Sequence, residues 1–340
     1  MHKLILLCTF IFVLFSCTPT KKSLVTKESD FTLAFGSCNK SNLTNSLWDD
    51  IVALNPDVWV WGGDVIYADT NDMIKLKKAY KSQSEVAGYK NLKEKIPVIG
   101  TWDDHDYGKN DGGVEFEAKR ESQQEFLDFM GVSKDSPRRN QEGVYAEHNY
   151  ILPNGKIKVL VLDTRYFRTA LTPDTETKKR HKPNVYGEGT VLGKSQWLWL
   201  EKVLNTSDAD FNVIVSSIQF LSKEHGFEAW GNFPHEVDKM TTMIAASKAK
   251  GVVILSGDRH ISEFSKTKVE GLDYPLIDFT SSGLTHAYSK FSGEANIYRV
   301  GEVVSTESFG VLQFDFKAKK VNYKIIGNNN KLLGALEQSY

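Results

Sequence analysis

Short apolar runs alternate with longer amphipathic segments along most of the chain after residue 30. Runs of four to nine residues rich in valine, isoleucine and aromatic residues, bounded by glycine or polar residues, are typical of buried strands. Strands are predicted at residues 31–35, 57–61, 96–99, 144–152, 156–162, 211–216 and 252–255. Helical spacing of apolar positions predicts helices at residues 43–54, 75–93, 115–130, 193–204 and 235–248.

The order of these elements predicts an α/β layered fold. The turn at residues 153–155 joins two of the strands, and residues 298–326 read as antiparallel strands with turns at Gly310 and Lys319. The sheets are therefore expected to be mixed and not purely parallel. The polar, lysine-rich loop at residues 172–190 is typical of disorder or of the rim of a site.

The first seventeen residues have a different character. A short positive start precedes an apolar run at residues 4–15, which is too short to span a bilayer but suits a secretory signal. Residues 14–17 resemble the bacterial lipobox, in which Cys17 is lipidated. We therefore expect a lipoprotein signal peptide at 1–17, a polar tether at 18–30 and a globular domain at 31–340. The protein would be exported and lipid-anchored in the cell envelope; the alternative is plain secretion with Cys17 incidental.

The composition limits which partners are expected and which role Cys38 can have. Lysine plus arginine number 42 and aspartate plus glutamate 43, so there is no basic surplus and no nucleic-acid partner is expected. A monomer is expected. With Cys8 inside the signal and Cys17 lipidated, only Cys38 remains in the domain. It cannot form an internal disulfide, so its thiol needs another role.

Four predicted strands end in residues that can bind metals. The strand ends carry Cys38, Asp64 with Tyr67, the acidic run at 103–106, and residues 258–260. In open α/β sheets the loops at the carboxyl ends of strands converge on ligands. Each segment alone could be a turn, a helix cap or a buried side chain. Together they favour a metal site, because clustered acids repel one another and a bound cation relieves that repulsion.

The donor types indicate which ions such a site would hold. A thiolate and a phenolate point to a ferric or other transition-metal position, and carboxylates point to calcium, magnesium or manganese. Two ions about 3.5–4 Å apart can clamp a phosphoryl group and generate a hydroxide nucleophile. Asp64 is the natural candidate for the carboxylate that bridges both ions.

These segments resemble the PhoD-like alkaline phosphatases and phosphodiesterases of the calcineurin-like metallophosphoesterase superfamily. The resemblance covers nearly the whole chain from residue 31, and its motifs are FGSC at 35–38, GDVIY at 63–67, WDDHDYGKN at 102–110, LDTR at 162–165, LGKSQWLWL at 192–200 and SGDRH at 256–260. It implies a four-layer αββα sandwich with mixed sheets and a metal pair at its centre. The ions it implies are Fe³⁺ and Ca²⁺, with Mg²⁺, Mn²⁺ or Zn²⁺ as alternatives.

The resemblance also implies roles for individual residues. Ligands of the ferric-type ion would be Cys38, Tyr67 and His260, Asp64 would bridge, and Asp104 and Asp258 would bind the calcium-type ion. The residue near the leaving-group oxygen would be His105, acting as general acid or transition-state donor.

Phosphate binding is the role that the resemblance implies for Asn110 and Arg165. For Arg165 the alternative is a surface ion pair with Asp163. The superfamily often places another histidine ligand after the strand at 211–216, but this chain offers only Ser216, Ser217 and Gln219, and none of them is assigned.

The function predicted from these features is hydrolysis of phosphate monoesters or diesters by a metal-activated hydroxide. The substrate would be a small phosphate ester or a phosphodiester, and no covalent enzyme intermediate is expected. The alternatives are a phospholipase-type or teichoic-acid-type phosphodiesterase, and a non-catalytic metal-binding lipoprotein that binds envelope polymers.

Overall fold

A computed structural model describes residues 29–340. The predicted signal peptide, the Cys17 lipidation site and residues 18–28 of the predicted tether lie outside the described residues. Within residues 29–340, no helix is both long enough and apolar enough to cross a membrane.

The described part of the chain contains strands and helices in alternation. The strands are β1 (Phe31–Gly36), β2 (Val58–Gly62), β3 (Val98–Thr101), β4 (Ala146–Leu152), β5 (Gly155–Val161), β6 (Thr172–Pro173), β7 (His181–Lys182), β8 (Phe211–Val215), β9 (Val252–Ser256), β10 (Ser262–Thr267), β11 (Leu276–Ser281), β12 (Arg299–Val304), β13 (Ser308–Asp315), β14 (Lys320–Gly327) and β15 (Lys331–Ser339). The helices are α1 (Leu47–Leu54), α2 (Met73–Glu85), α3 (Ala87–Lys95), α4 (Asp104–Tyr107), α5 (Lys119–Phe129), α6 (Gly193–Asn205) and α7 (Pro234–Ala246).

Two mixed sheets form the centre of the molecule. The first has the strand order β15-β14-β13-β1-β2-β3, and the second has the order β12-β10-β11-β9-β8-β5-β4. In the first sheet β1, β2 and β3 run parallel, and in the second β5, β8, β9 and β11 run parallel. Strands β6 and β7 pair only with each other, within the loop predicted at 172–190.

Side chains alternate between an inner and an outer apolar layer. Leu33 and Phe35 of β1 and Val58 and Val60 of β2 face the space between the sheets. They meet residues from the second sheet, namely Val159, Val161, Val213, Val215, Val253 and Leu255. This period-two alternation explains why the strands read as continuous apolar runs, since both faces of each strand are buried.

Helices cover the outer face of each sheet. Trp59 and Trp61 of β2 point outward and pack against Trp48 of α1, with ring centroids 5.5 and 5.6 Å apart. Tyr89 of α3 adds a ring 5.6 Å from Trp61. On the second sheet the outward residues Leu160, Ile214 and Ile254 pack with Trp197 and Leu200 of α6 and Met240 and Ile244 of α7. The predicted four-layer αββα sandwich is confirmed.

Some predicted elements differ from the structure. The helix predicted at 75–93 is two helices separated at Val86, whose backbone is extended (ψ 118°). The turn predicted at Gly310 is wrong, because Gly310 pairs with Phe35 inside β13. Strands β10, β11 and β15 were not predicted.

Candidate active site

The candidate site lies where the carboxyl ends of strands from both sheets meet. Loops leaving β1, β2 and β3 approach loops leaving β5, β8 and β9. The loops pack closely where they meet at Gly63. A Cβ on Gly63 would lie 2.5 Å from the Asp103 Cβ and 3.0 Å from the Ser217 Cβ. Glycine at this position therefore lets three loops converge.

Several of the converging residues have an unusual backbone conformation. Cys38, Asp64, Asp258 and His260 have φ angles of 57°, 50°, 66° and 56°. The left-handed region is uncommon for non-glycine residues and is found repeatedly at functional sites. Each of these residues lies at or just beyond the end of a strand, and the conformation turns its side chain back over the sheet edge.

The first group of side chains contains Cys38, Asp64, Tyr67 and His260. The Cys38 Sγ lies 3.5 Å from Asp64 Oδ2, and the Tyr67 hydroxyl donates to the same Oδ2 at 3.0 Å. The Tyr67 hydroxyl is 3.4 Å from His260 Nε2. Ligand atoms of Cys38, Asp64 and His260 all lie within 4.8 Å of one another. A thiol, a phenol, a carboxylate and an imidazole therefore share one small volume.

The second group contains only carboxylates and shares Asp64 with the first. Ligand oxygens of Asp64, Asp103, Asp104 and Asp258 lie within 4.8 Å of one another. The first three residues are buried and Asp258 is half-buried. Asp64 Oδ1, Asp103 Oδ2 and Asp104 Oδ1 are buried and have no hydrogen-bond partner among the described residues. Buried polar atoms without a partner are rare in folded proteins and point to a ligand.

The electrostatics of this cluster favour a bound cation. Burial, together with Asp104 and Asp103, raises the pKa of Asp64 well above its usual range. Burial and the Asp104 charge raise the pKa of Asp258 to about 7. Burial and Asp64 likewise raise the pKa of the Cys38 thiol. A cation would reverse each of these effects, because it stabilises the charged form of every neighbour.

The donor set fits a pair of metal ions. Thiolate, phenolate and imidazole on one side suit a transition metal, and the carboxylates on the other side suit a hard cation. Asp64 faces both groups, and its unpartnered Oδ1 is free for a second ligand bond.

His105 lies beside the carboxylates and is oriented by Asp69. Its Nδ1 is 2.8 Å from both carboxylate oxygens of Asp69, and its ring stacks on Tyr67 with centroids 4.1 Å apart. Burial acts to lower the pKa of His105, but Asp69 and Asp104 outweigh it and the pKa is raised. Because Nδ1 is engaged by Asp69, Nε2 is the ring nitrogen available to a ligand.

His260 is oriented in a similar way by the loop that follows β11. Its Nδ1 is 3.0 Å from the carbonyl oxygen of His286, so Nε2 faces Tyr67 and Cys38. The His286 ring lies 4.3 Å from the His260 ring and 5.1 Å from the Tyr67 ring. Burial, His260 and the Lys40 ammonium lower the pKa of His286 to about 3.

The predicted phosphate binders occupy two different environments. Arg165 is completely buried; its Nε donates to Asp103 Oδ1 at 2.5 Å and its Nη1 donates to Glu228 Oε2 at 2.5 Å. The surface ion pair with Asp163 is not what the structure shows. Asn110 is exposed on the loop whose next residue, Asp111, donates its backbone N–H to Asp104 Oδ2 at 2.8 Å.

Two of the residues left unassigned after β8, Ser217 and Gln219, have different surroundings. The Ser217 hydroxyl donates to Asp103 Oδ1 at 2.7 Å and contacts the Thr164 hydroxyl, so it supports the carboxylate cluster. Gln219 points elsewhere and donates to Glu263 and Thr280, each at 2.9 Å.

Sequence reasoning missed several residues around the cluster. Asp69 follows Asp64 in the same loop, and its closeness to Asp64 in the sequence could have identified it as a site residue. Asp103 stood inside the recognised acidic run but was not assigned. No sequence signal pointed to Glu228, which reaches the cluster from the loop at 222–233 and also pairs with Arg168 at 2.7 Å.

Comparisons with known proteins identify the family of this chain. Residues 75–325 match the PhoD-like phosphatase family. Alkaline phosphatase D of Bacillus subtilis (strain 168) is 26% identical over 276 residues, which cover 72% of this chain and 47% of that protein. The chain thus spans about half the length of this curated relative.

Solved structures show the same fold. A structure of PhoD superposes with a TM-score of 0.71 at 18% identity, covering 92% of this chain and 68% of that one. GAP50, the anchor in the inner membrane complex of Plasmodium, superposes with a TM-score of 0.55 at 11% identity, covering 92% of this chain and 89% of that one. The extent of the family match, across most of the described residues, leads to one conclusion: the chain belongs to the PhoD-like phosphatase family.

Proposed function

We propose that this protein is an exported metal-dependent phosphoesterase. The observation that carries the proposal is the pair of ligand groups sharing Asp64, with unpartnered buried oxygens on Asp64 and Asp104. Membership of a phosphatase family supports the same reaction class. Export and lipid attachment at Cys17 rest on the sequence pattern of residues 1–17.

The residues would divide the metal binding between them. Cys38, Tyr67 and His260 would hold the transition-metal ion, Asp64 would bridge, and a hard cation would be held by Asp104 and Asp258. The bound cations would supply Lewis-acid activation of a phosphate ester and of a water molecule. Fe³⁺ and Ca²⁺ match these donors, and Mg²⁺, Mn²⁺ or Zn²⁺ are alternatives.

His105 would donate a proton to the departing alkoxide. Asp69 holds its Nδ1 and raises its pKa, which favours the protonated ring. A groove of about 710 Å³ opens beside Asp69 and is lined by residues of the α2 start and the 108–121 segment.

Arg165 would position the cluster. Its guanidinium bridges Asp103 and Glu228 and has no exposed surface. Direct phosphate binding by Arg165 would require it to leave one of these carboxylates, so that role stays a prediction, as does phosphate binding by the exposed Asn110.

The test is turnover of p-nitrophenyl phosphate and bis-p-nitrophenyl phosphate by the purified protein, with metal content measured on the same sample. We expect hydrolysis of at least one ester, and loss of more than 100-fold in kcat in Cys38→Ala and Asp64→Ala. Lys90→Ala on the exposed face of α3 is the control and should keep full activity. The preferred ester would choose between a monoesterase and a diesterase.

One outcome would reject the proposal. If metal-loaded protein hydrolyses neither ester, the non-catalytic metal-binding lipoprotein becomes the better description. A monomeric state and the lack of a nucleic-acid partner remain predictions.

A further inference from the structure

Lys40 places a positive charge beside Tyr67, one of the residues of the candidate site. Its backbone N–H donates to Thr285 Oγ1 at 2.8 Å, and the Thr285 hydroxyl donates to the Cys38 carbonyl at 3.3 Å. The backbone of Lys40 is therefore tied to the loop that carries Cys38. Its side chain is half-buried and places Nζ 4.7 Å from the centre of the Tyr67 ring.

Tyr67 connects that ammonium to the cluster. The Tyr67 hydroxyl donates to Asp64, and its ring stacks on His105. Lys40 thus lies over the ring of a residue that borders both the shared carboxylate and the proposed proton donor.

The other cations around the site are already paired. Arg165 contacts Asp103 and Glu228, Arg180 contacts Asp111 at 2.8 Å, and Arg259 contacts Glu294 at 2.7 Å. Within residues 29–340, the Lys40 ammonium has no carboxylate at ion-pair distance and lies over the Tyr67 ring. Its charge is therefore available to an anion that enters the site.

The charge of a phosphate ester determines how strongly such a cation attracts it. A phosphate monoester carries nearly two negative charges above its second pKa of about 6. A diester carries one negative charge. An ammonium with three rotatable donors suits a terminal phosphate oxygen.

We propose that Lys40 binds a non-bridging oxygen of the substrate phosphate and favours dianionic monoesters over monoanionic diesters. The inference rests on the proposed phosphoesterase function and names the residue that sets ester preference. Lys40 would supply a cationic contact in addition to the phosphate binding predicted for the buried Arg165.

The test compares Lys40→Met, which keeps the aliphatic stem over Tyr67 but removes the charge, with Lys40→Arg, which restores a charge. Lys90→Met on α3 is the matched control. In Lys40→Met we expect KM for p-nitrophenyl phosphate and the inhibition constant of inorganic phosphate to rise about tenfold, equivalent to about 1.4 kcal/mol. The kcat/KM for bis-p-nitrophenyl phosphate should change by less than about threefold, because a diester with one negative charge loses less electrostatic attraction when the ammonium is removed.

Two further readouts separate binding from a supporting role. Lys40→Arg should recover most of the monoester KM, and raising the salt concentration should narrow the gap between wild type and Lys40→Met. Metal content should be the same in all variants. Equal losses for both esters, or loss of metal, would mean that Lys40 only supports Tyr67, and an unchanged phosphate inhibition constant would also overturn the inference.

Failure of the proposed function can be told apart from failure of this inference. If wild-type protein hydrolyses neither ester, binding of inorganic phosphate to the metal-loaded protein is measured by titration calorimetry. Weaker binding by Lys40→Met alone would still support the contact, and equal binding by wild type and Lys40→Met would reject it.

Discussion

At the scale of single residues, the site combines strain with charge repulsion. Four non-glycine residues at strand ends, Cys38, Asp64, Asp258 and His260, occupy left-handed backbone conformations that cost about 1–3 kcal/mol each. The carboxylates they present repel one another in a buried setting. The backbone strain and the charge repulsion are compatible with a folded protein only if the surrounding sandwich holds the loops firmly. A bound cation would remove much of the charge repulsion.

The Asp69–His105 pair leads to a prediction about pH dependence. His105 must be protonated to act as an acid, so kcat should fall as pH rises through its pKa. Asp69 raises that pKa. In Asp69→Asn the pKa should drop, and the alkaline fall of kcat should move to lower pH by about one unit, a shift typical of losing one adjacent charge. The pH profile of kcat measures this.

Exposed Asp135 supplies the control for that experiment. Asp135→Asn should leave the profile in place, and His105→Ala should lose turnover while keeping its metals. A profile of Asp69→Asn that coincides with wild type would show that Asp69 does not tune the acid.

At the scale of elements, the apolar pattern predicted those strands that are buried through apolar side chains. Strand β10 escaped prediction because its buried positions are polar: Ser262 pairs with Ser308 at 3.0 Å, and Glu263 accepts from Arg299 at 2.6 Å. In β11 the buried Asp278 interrupts the apolar run and accepts the backbone N–H groups of Phe220 and Leu221. Tertiary hydrogen bonds of this kind have no local sequence signal.

The site was more predictable than these strands for a related reason. Cys38, Asp64 and Asp258 each follow a continuous apolar strand, so each is expected at the carboxyl end of its strand. In the structure the carboxyl ends of strands from the two sheets meet there. Glu228 comes from an irregular loop, and its distance from the cluster depends on packing that no local pattern encodes.

The turn after β2 gives a prediction at this scale. Gly63 has φ +93° and no room for a Cβ beside Asp103 and Ser217. Gly63→Ala should lower the free energy of unfolding by about 2–4 kcal/mol, since backbone strain and a clash add together. It should also separate the loops that carry Asp64 and Asp103, and so reduce metal content. Urea unfolding and metal analysis measure the two effects.

Gly131 provides a matched comparison. It also has a positive φ, +70°, but a Cβ there would meet nothing within 4 Å. Gly131→Ala should therefore cost only the backbone strain, about 1 kcal/mol, and leave metal content unchanged. Equal destabilisation by the two substitutions would mean that the convergence of loops at Gly63 is not close.

At the scale of the whole molecule, the site joins both halves of the sandwich. Cys38, Asp64 and Asp104 follow strands of the first sheet, whereas Asp258 and His260 follow β9 of the second. A cation bound between them would cross-link the sheets at one edge, so metal binding should stabilise the global fold and not only the loops.

The sign of the pH effect on metal-free protein follows from the raised carboxylate pKa values. A carboxyl group whose pKa is raised on folding binds its proton more tightly in the folded state, so folded-state stability falls as pH rises from the ordinary aspartate range through the folded pKa. For Asp258 that upper limit is about 7. Chelated protein should therefore melt at a lower temperature at pH 8 than at pH 6.

Adding Ca²⁺ should reverse that loss, and by more at pH 8 than at pH 6, because the ionised carboxylates that repel one another without metal are the ones that bind it. Asp258→Asn separates this explanation from general alkaline destabilisation. With one repelling charge removed, the chelated variant should melt at more nearly equal temperatures at the two pH values, and it should gain little from Ca²⁺. If chelated wild type melts at the same temperature at both pH values, the buried carboxylates do not carry the unfavourable charge that the metal is proposed to neutralise.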